Sequence, residues 1–230
     1  MSPHPLPAND EVELEPAAAL AAIGEQQSAY LRHVEVHSAP FYIAWGLAWL
    51  IGYGTCGLAV GPDYALEPSA LLVFLSCLAA AAVFTCVYIV RRSHGLRGRT
   101  SWIGTMYGLA WAGGMTLSFT TSARLGAFFN DLDTAQAANM GSIMANALPC
   151  LVVGVLFLAG AAIWEETSMA VTGGWILAVT MAATIVGGNA LWAIMALAGG
   201  GGMLVAGAVT ALQARRQTAR MKADTDEPFP

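Results

Sequence analysis

Charge is missing from long stretches of this chain, and that absence limits its fold more than any motif does. The 230 residues carry ten Lys and Arg and fifteen Asp and Glu. Nearly all lie in a few short clusters: an acidic N-terminal arm, a basic loop at Arg91, Arg92, Arg97 and Arg99, and a tail beginning at Arg215 and Arg216. Asp63, Glu67, Arg124, Asp131, Asp133, Glu165 and Glu166 punctuate the rest. Between these points run apolar stretches of roughly 20 residues, the length an α-helix needs to cross about 30 Å of hydrocarbon. Composition agrees: 57% of residues are apolar and only 11% charged. A soluble domain is about 25% charged, and a disordered chain needs low hydrophobicity and high net charge. The expected class is an all-α polytopic membrane protein.

Six spans are expected, at about Pro40–Val60, Pro68–Val90, Trp102–Thr120, Gly141–Trp164, Met169–Val186 and Ala190–Leu212. Ser38-Ala39-Pro40 is a helix start, because Ser can cap and Pro is tolerated in the first turn. Gly61-Pro62 is a stop signal. Gly187-Gly188-Asn189 predicts a tight turn. Residues 121–140 are expected to form the longest loop, with room for a short surface helix. Three regions follow: a cytosolic acidic arm with an amphipathic helix over 1–38, a six-helix membrane region over 39–213, and a cytosolic tail over 214–230. The arm lacks the basic n-region of a signal peptide, so the first span is expected to direct insertion.

An even number of spans puts the arm, the 91–101 loop and the tail on one side. That side holds nine of the ten basic residues, leaving only Arg124 on the other. The positive-inside rule makes it the cytosol, giving an N-in, C-in topology of three hairpins. Tyr42, Tyr53, Tyr64, Tyr88, Trp102 and Trp164 are expected as interfacial aromatics near span ends.

Trp45-Gly46-Leu47-Ala48-Trp49 and Tyr107-Gly108-Leu109-Ala110-Trp111 repeat at an offset of 62 residues, and Gly52 and Gly114 correspond at the same offset. A two-span period predicts a parallel repeat of helical hairpins. Gly46 and Gly108 are expected to admit a neighbouring backbone. Gly104, Gly108, Ala112 and Thr116 form one small-residue stripe, and Ala198, Gly202, Ala206 and Thr210 another. Both are expected to mark helix–helix contact.

The Trp45–Trp49 motif, the Arg-rich loop and Met106–Trp111 together resemble a group of uncharacterised actinobacterial integral membrane proteins, often described as transporter-like. The resemblance covers roughly residues 30–120. It implies a bacterial plasma (inner) membrane location and assigns no residue a catalytic role.

Chemistry-bearing clusters are sparse. His33 and His37 share a helical face at i, i+4, but lack the His-Glu-x-x-His pattern and a third ligand. Interfacial histidines are the better reading. Cys56, Cys77, Cys86 and Cys150 lie inside spans without metal-site spacing and read as small apolar fillers. Glu165 and Glu166 read as a solvated helix end. Phosphate-binding and Ser-His-Asp patterns are absent, so neither an enzyme nor a cofactor or metal is expected. Basic clusters are explained by topology and anionic lipid, so nucleic acid is not expected as a partner.

The most informative polar feature is Asn146-Ala147-Leu148-Pro149. Pro149 interrupts the backbone ladder of span 4, and Asn146 and Pro149 are candidate cavity-lining residues. The Gly199–Gly202 run is either a hinge or a close-packing surface. Two functions remain open. One is a non-enzymatic permease-like or transporter-accessory subunit. The other is a sensory or scaffold protein acting through its arm and tail. Beyond the lipid bilayer, the partner is a cytosolic protein or a second copy of the chain.

Overall fold

A computed structural model describes residues 38–64, 66–93, 99–132 and 134–226. The expected amphipathic helix of the arm, with His33 and His37, lies outside the described residues. Six long helical segments follow one another: α1 (Ala39–Ala59), α2 (Pro68–Ser93), α3 (Arg99–Asn130), α4 (Ala135–Trp164), α5 (Thr167–Val186) and a last helix in three parts. Those parts are α6 (Gly188–Ile194), a π-helical turn (Met195–Gly200) and α7 (Gly201–Asp226). Five of the six are long and apolar enough to cross a membrane; α3 is the exception.

Local chemistry explains most boundaries. Pro40 sits in the first turn of α1, but the Ser38 side chain does not cap it. The Ser38 carbonyl instead accepts from the N–H groups of Phe41 and Tyr42. Thr134 does cap α4, its hydroxyl accepting from Ala137 N at 3.1 Å. Glu165 ends α4 in the left-handed conformation, and the Glu166 carboxylate accepts from Ser168 N at the start of α5. Both acids are exposed, and Glu166 also meets the positive end of the α5 dipole. At the next turn Gly187 and Gly188 have φ of +63° and +57°, values that favour glycine. The Gly188 N–H donates to Asn139 Oδ1 of α4 at 2.8 Å.

The long loop expected over 121–140 is largely helix. α3 continues to Asn130 and α4 begins at Ala135, so only about four residues connect them. Thr120, Thr121 and Ser122 are polar without breaking a helix. Here hydroxyls bond back to the preceding turn, as Thr120 Oγ1 does to Thr116 O at 2.8 Å.

Successive helices run antiparallel. Phe41 stacks on Tyr88 while Gly52 meets Phe74, and Tyr107 reaches Leu156 while Phe129 meets Gly141. The buried apolar cluster draws on α1, α2, α4, α5 and the last helix. α1 packs against α2 on one side and the last helix on the other, and α4 packs against both α3 and α5. The extensive contacts of α2 are with α1 and those of α3 are with α4, so these two helices are the outer ones. Gly52 admits Phe74 from the following helix, and Gly114 admits Val152 from its own. The positions at the 62-residue offset thus play the same part in two hairpins.

That likeness fails at Gly46 and Gly108. A Cβ on Gly46 would lie 3.0 Å from the Gly200 carbonyl. At Gly104 and Gly108 a Cβ would meet nothing within 4 Å. Gly104, Gly108, Ala112 and Thr116 are all exposed. The expected contact of this stripe with another helix is therefore not made among the described residues. The reason is position: α1 is packed on two sides and α3 principally on one. The inward face of α3 carries Tyr107, Trp111, Gly114 and Ser118 instead.

A buried polar site between α1, α4 and α5

Tyr53 is not an interfacial aromatic. It is 4% exposed and lies among Trp49, Phe74 and Trp192. A buried tyrosine needs a partner for its hydroxyl, and Tyr53 finds one across the interior. Its hydroxyl donates to Asn146 Oδ1 of α4 at 2.6 Å. Cys150 sits one turn beyond Asn146, with its sulfur 3.7 Å from both Asn146 Oδ1 and the Tyr53 oxygen. Thr180 of α5 brings a hydroxyl against Cys150 from the other side. Tyr53, Asn146, Cys150 and Thr180 thus form one neutral cluster contributed by three helices.

The cluster is only partly satisfied. Asn146 and Thr180 are 4% and 6% exposed, yet Asn146 Nδ2 and Thr180 Oγ1 have no hydrogen-bond partner. An unpaired buried polar group costs about 1–3 kcal/mol, and more where hydrocarbon replaces water. The Asn146 carbonyl end takes the Tyr53 hydroxyl, so the amide N–H groups are the free end. Pro149 is buried one turn away and supplies no N–H to the Ala145 carbonyl, which loosens α4 beside the cluster.

Asn146 and Pro149 are therefore together, but both are buried in the packed interior. The apolar groove lined by Ala44, Leu47, Ile51, Cys77, Ala80 and Phe84 lies elsewhere, between α1 and α2. Cys56 and Cys150 are buried, Cys77 is half-buried and Cys86 is exposed; all four are free thiols. Among the described residues no group of three His, Cys, Asp or Glu side chains is placed to hold a metal.

A second polar contact lies at the last helix. The run Gly199–Gly202 is neither unwound nor plain α-helix, because the π turn Met195–Gly200 precedes α7 directly. A π turn inserts one extra residue and disturbs the carbonyl ladder. Trp175 of α5 donates its indole N–H to the Ala198 carbonyl at 2.9 Å. A Cβ on Gly200 would lie 2.6 Å from Leu50 N and 2.9 Å from Gly46 O, so two backbones touch here. A Cβ on Gly202 would collide with the Trp175 indole nitrogen.

Sequence reasoning singled out Asn146, Pro149, Gly46 and Gly202, but missed Tyr53, Thr180 and Trp175. The available signal was an aromatic with a polar end inside a span, which must find an acceptor there. No protein-family model, curated protein or solved structure gives a significant match to this chain.

Proposed function

We propose that this chain is a six-span protein of the bacterial plasma membrane, with arm and tail in the cytosol. In this reading it is a non-enzymatic, permease-like or transporter-accessory subunit. The sixth crossing is α3, which runs beside α4 from Tyr107 at Leu156 to Phe129 at Gly141. Its 32 residues extend about 48 Å. Six crossings also collect nine of the ten basic residues on one side, as the positive-inside rule requires.

One observation carries the permease-like reading. Among the described residues the buried polar and charged side chains are Ser118, Ser122, Asn146, Thr172 and Thr180, without a carboxylate, amine or guanidinium. Ion-coupled transport commonly uses buried charge. Contacts to a solute would here be made by neutral groups, with the half-satisfied cluster at Asn146 the most prominent. Reconstitution into liposomes, with and without a pH gradient, tests the reading. Uptake of a neutral solute that is insensitive to the gradient and impaired by Asn146→Leu supports it. Uptake driven by the gradient and abolished by Glu165→Gln or Glu166→Gln overturns it.

The length of the last helix favours a second reading, a sensory or scaffold protein. From Gly188 to Asp226 it has 39 residues, about 58 Å against about 30 Å of hydrocarbon. The surplus extends beyond the membrane as helix. Absence of flux for every solute tested, with a cytosolic protein retained only by chains that keep residues 214–230, selects this reading.

A further inference from the structure

We propose that the Asn146–Thr180 face of the buried cluster is a binding site for one small uncharged molecule that both donates and accepts hydrogen bonds. The inference deepens the permease-like reading and rests on it for biological meaning, although a guest can bind here in a protein that transports nothing. Two polar groups, each more than nine-tenths buried, are left without a partner on either side of one residue, Cys150. They are chemically complementary to such a guest. The Asn146 amide offers N–H donors, because its oxygen is already taken by Tyr53. The Thr180 hydroxyl donates or accepts as its rotor requires. A charged guest would find no counter-ion, since the surrounding buried polar groups are all neutral. A purely apolar guest would leave both groups unpaired. Tyr53 acts as a positioning residue, fixing which end of the Asn146 amide faces the guest.

Water and a small amide or alcohol share this chemistry, and the test separates them. Thermal midpoints of the full chain in lipid nanodiscs would be compared for the unaltered protein, Thr180→Val and Asn146→Leu, with and without acetamide below its denaturing range. Valine matches threonine in shape and removes only the hydroxyl. With a guest bound, Thr180→Val loses a hydrogen bond and the midpoint falls by about 2–4 °C. Without one, it removes an unpaired buried polar atom and the midpoint holds or rises. A midpoint that rises with acetamide in the unaltered protein, but not in Thr180→Val, identifies an organic guest. A fall in Thr180→Val with no response to acetamide identifies water. A midpoint for Thr180→Val equal to or above that of the unaltered protein, with no acetamide response, overturns the proposal. Should Asn146→Leu fail to fold, Thr180→Val decides alone. Flux is not part of this measurement. Acetamide binding without transport sinks the permease-like reading and keeps the site, and transport without any midpoint response does the reverse.

Discussion

The indole N–H of Trp175 donates to the carbonyl of Ala198 at 2.9 Å, across the interface between α5 and the π turn. The bond has a structural cause. The Gly201 N–H points back to Ala196 O and Ala198 O, an arrangement that departs from the regular i to i−4 ladder, and the indole supplies Ala198 with a second donor. Trp175→Phe keeps a ring of similar size and removes the donor. Its expected cost is about 1 kcal/mol, seen as a thermal midpoint about 2–4 °C lower in detergent. An unchanged midpoint would show that the π turn needs no indole.

Glycine tolerance should differ sharply between two positions. Gly200→Ala places a methyl 2.6 Å from the Leu50 backbone nitrogen, which no side-chain rotation relieves. Overpacking of about 1–3 kcal/mol is expected, as a clear fall in the midpoint. Gly108→Leu adds a side chain where nothing lies within 4 Å, so the midpoint of the single chain should hold. Equal loss at both positions would place an unseen neighbour over Gly108.

Tyr53→Phe removes the 2.6 Å hydrogen bond and leaves the Asn146 oxygen with only the weak Cys150 thiol. The expected cost is about 1–3 kcal/mol. Combining it with Asn146→Leu should cost less than the sum of the two single changes, because both break one bond. Strict additivity in a double-mutant cycle would mean that the bond contributes nothing to stability.

Topology is open to chemical labelling. Single cysteines replacing Gly95 and Leu132, in a chain lacking the four native cysteines, should label from opposite sides of the membrane, with position 95 cytosolic. Labelling of both from one side would remove α3 from the set of crossings.

The helices were legible because each apolar stretch is bounded by charge or by a Gly-Pro or Gly-Gly signal. The end of α3 was not. Thr120, Thr121, Ser122 and Arg124 carry the polarity of a loop, but helical hydroxyls satisfy themselves on the preceding turn, and nothing local in 121–130 forbids a helix. The small-residue stripe Gly104–Thr116 was misread for a different reason. Small residues state that a close approach is allowed, and whether one occurs depends on which helices reach that face. Gly46, on a helix flanked on two sides, is buried. Gly108, on a helix at the edge, is exposed. Asn146 was identified from its proline neighbour, whereas its partner Tyr53 was hidden, because pairing over some 90 positions has no local signature.

The contact of Gly46 with Gly200 joins the first helix to the last. Synthesis runs at about 5–20 residues per second, so α1 waits about 8–30 s for the surface that covers it. Until then Gly46, Trp49 and Tyr53 face lipid or the insertion machinery. Tyr53 meanwhile lacks Asn146 for most of that interval. A chain that terminates before the π turn therefore damages its own N-terminal helix, and a premature stop near position 195 should act as a lesion at residues 46–53.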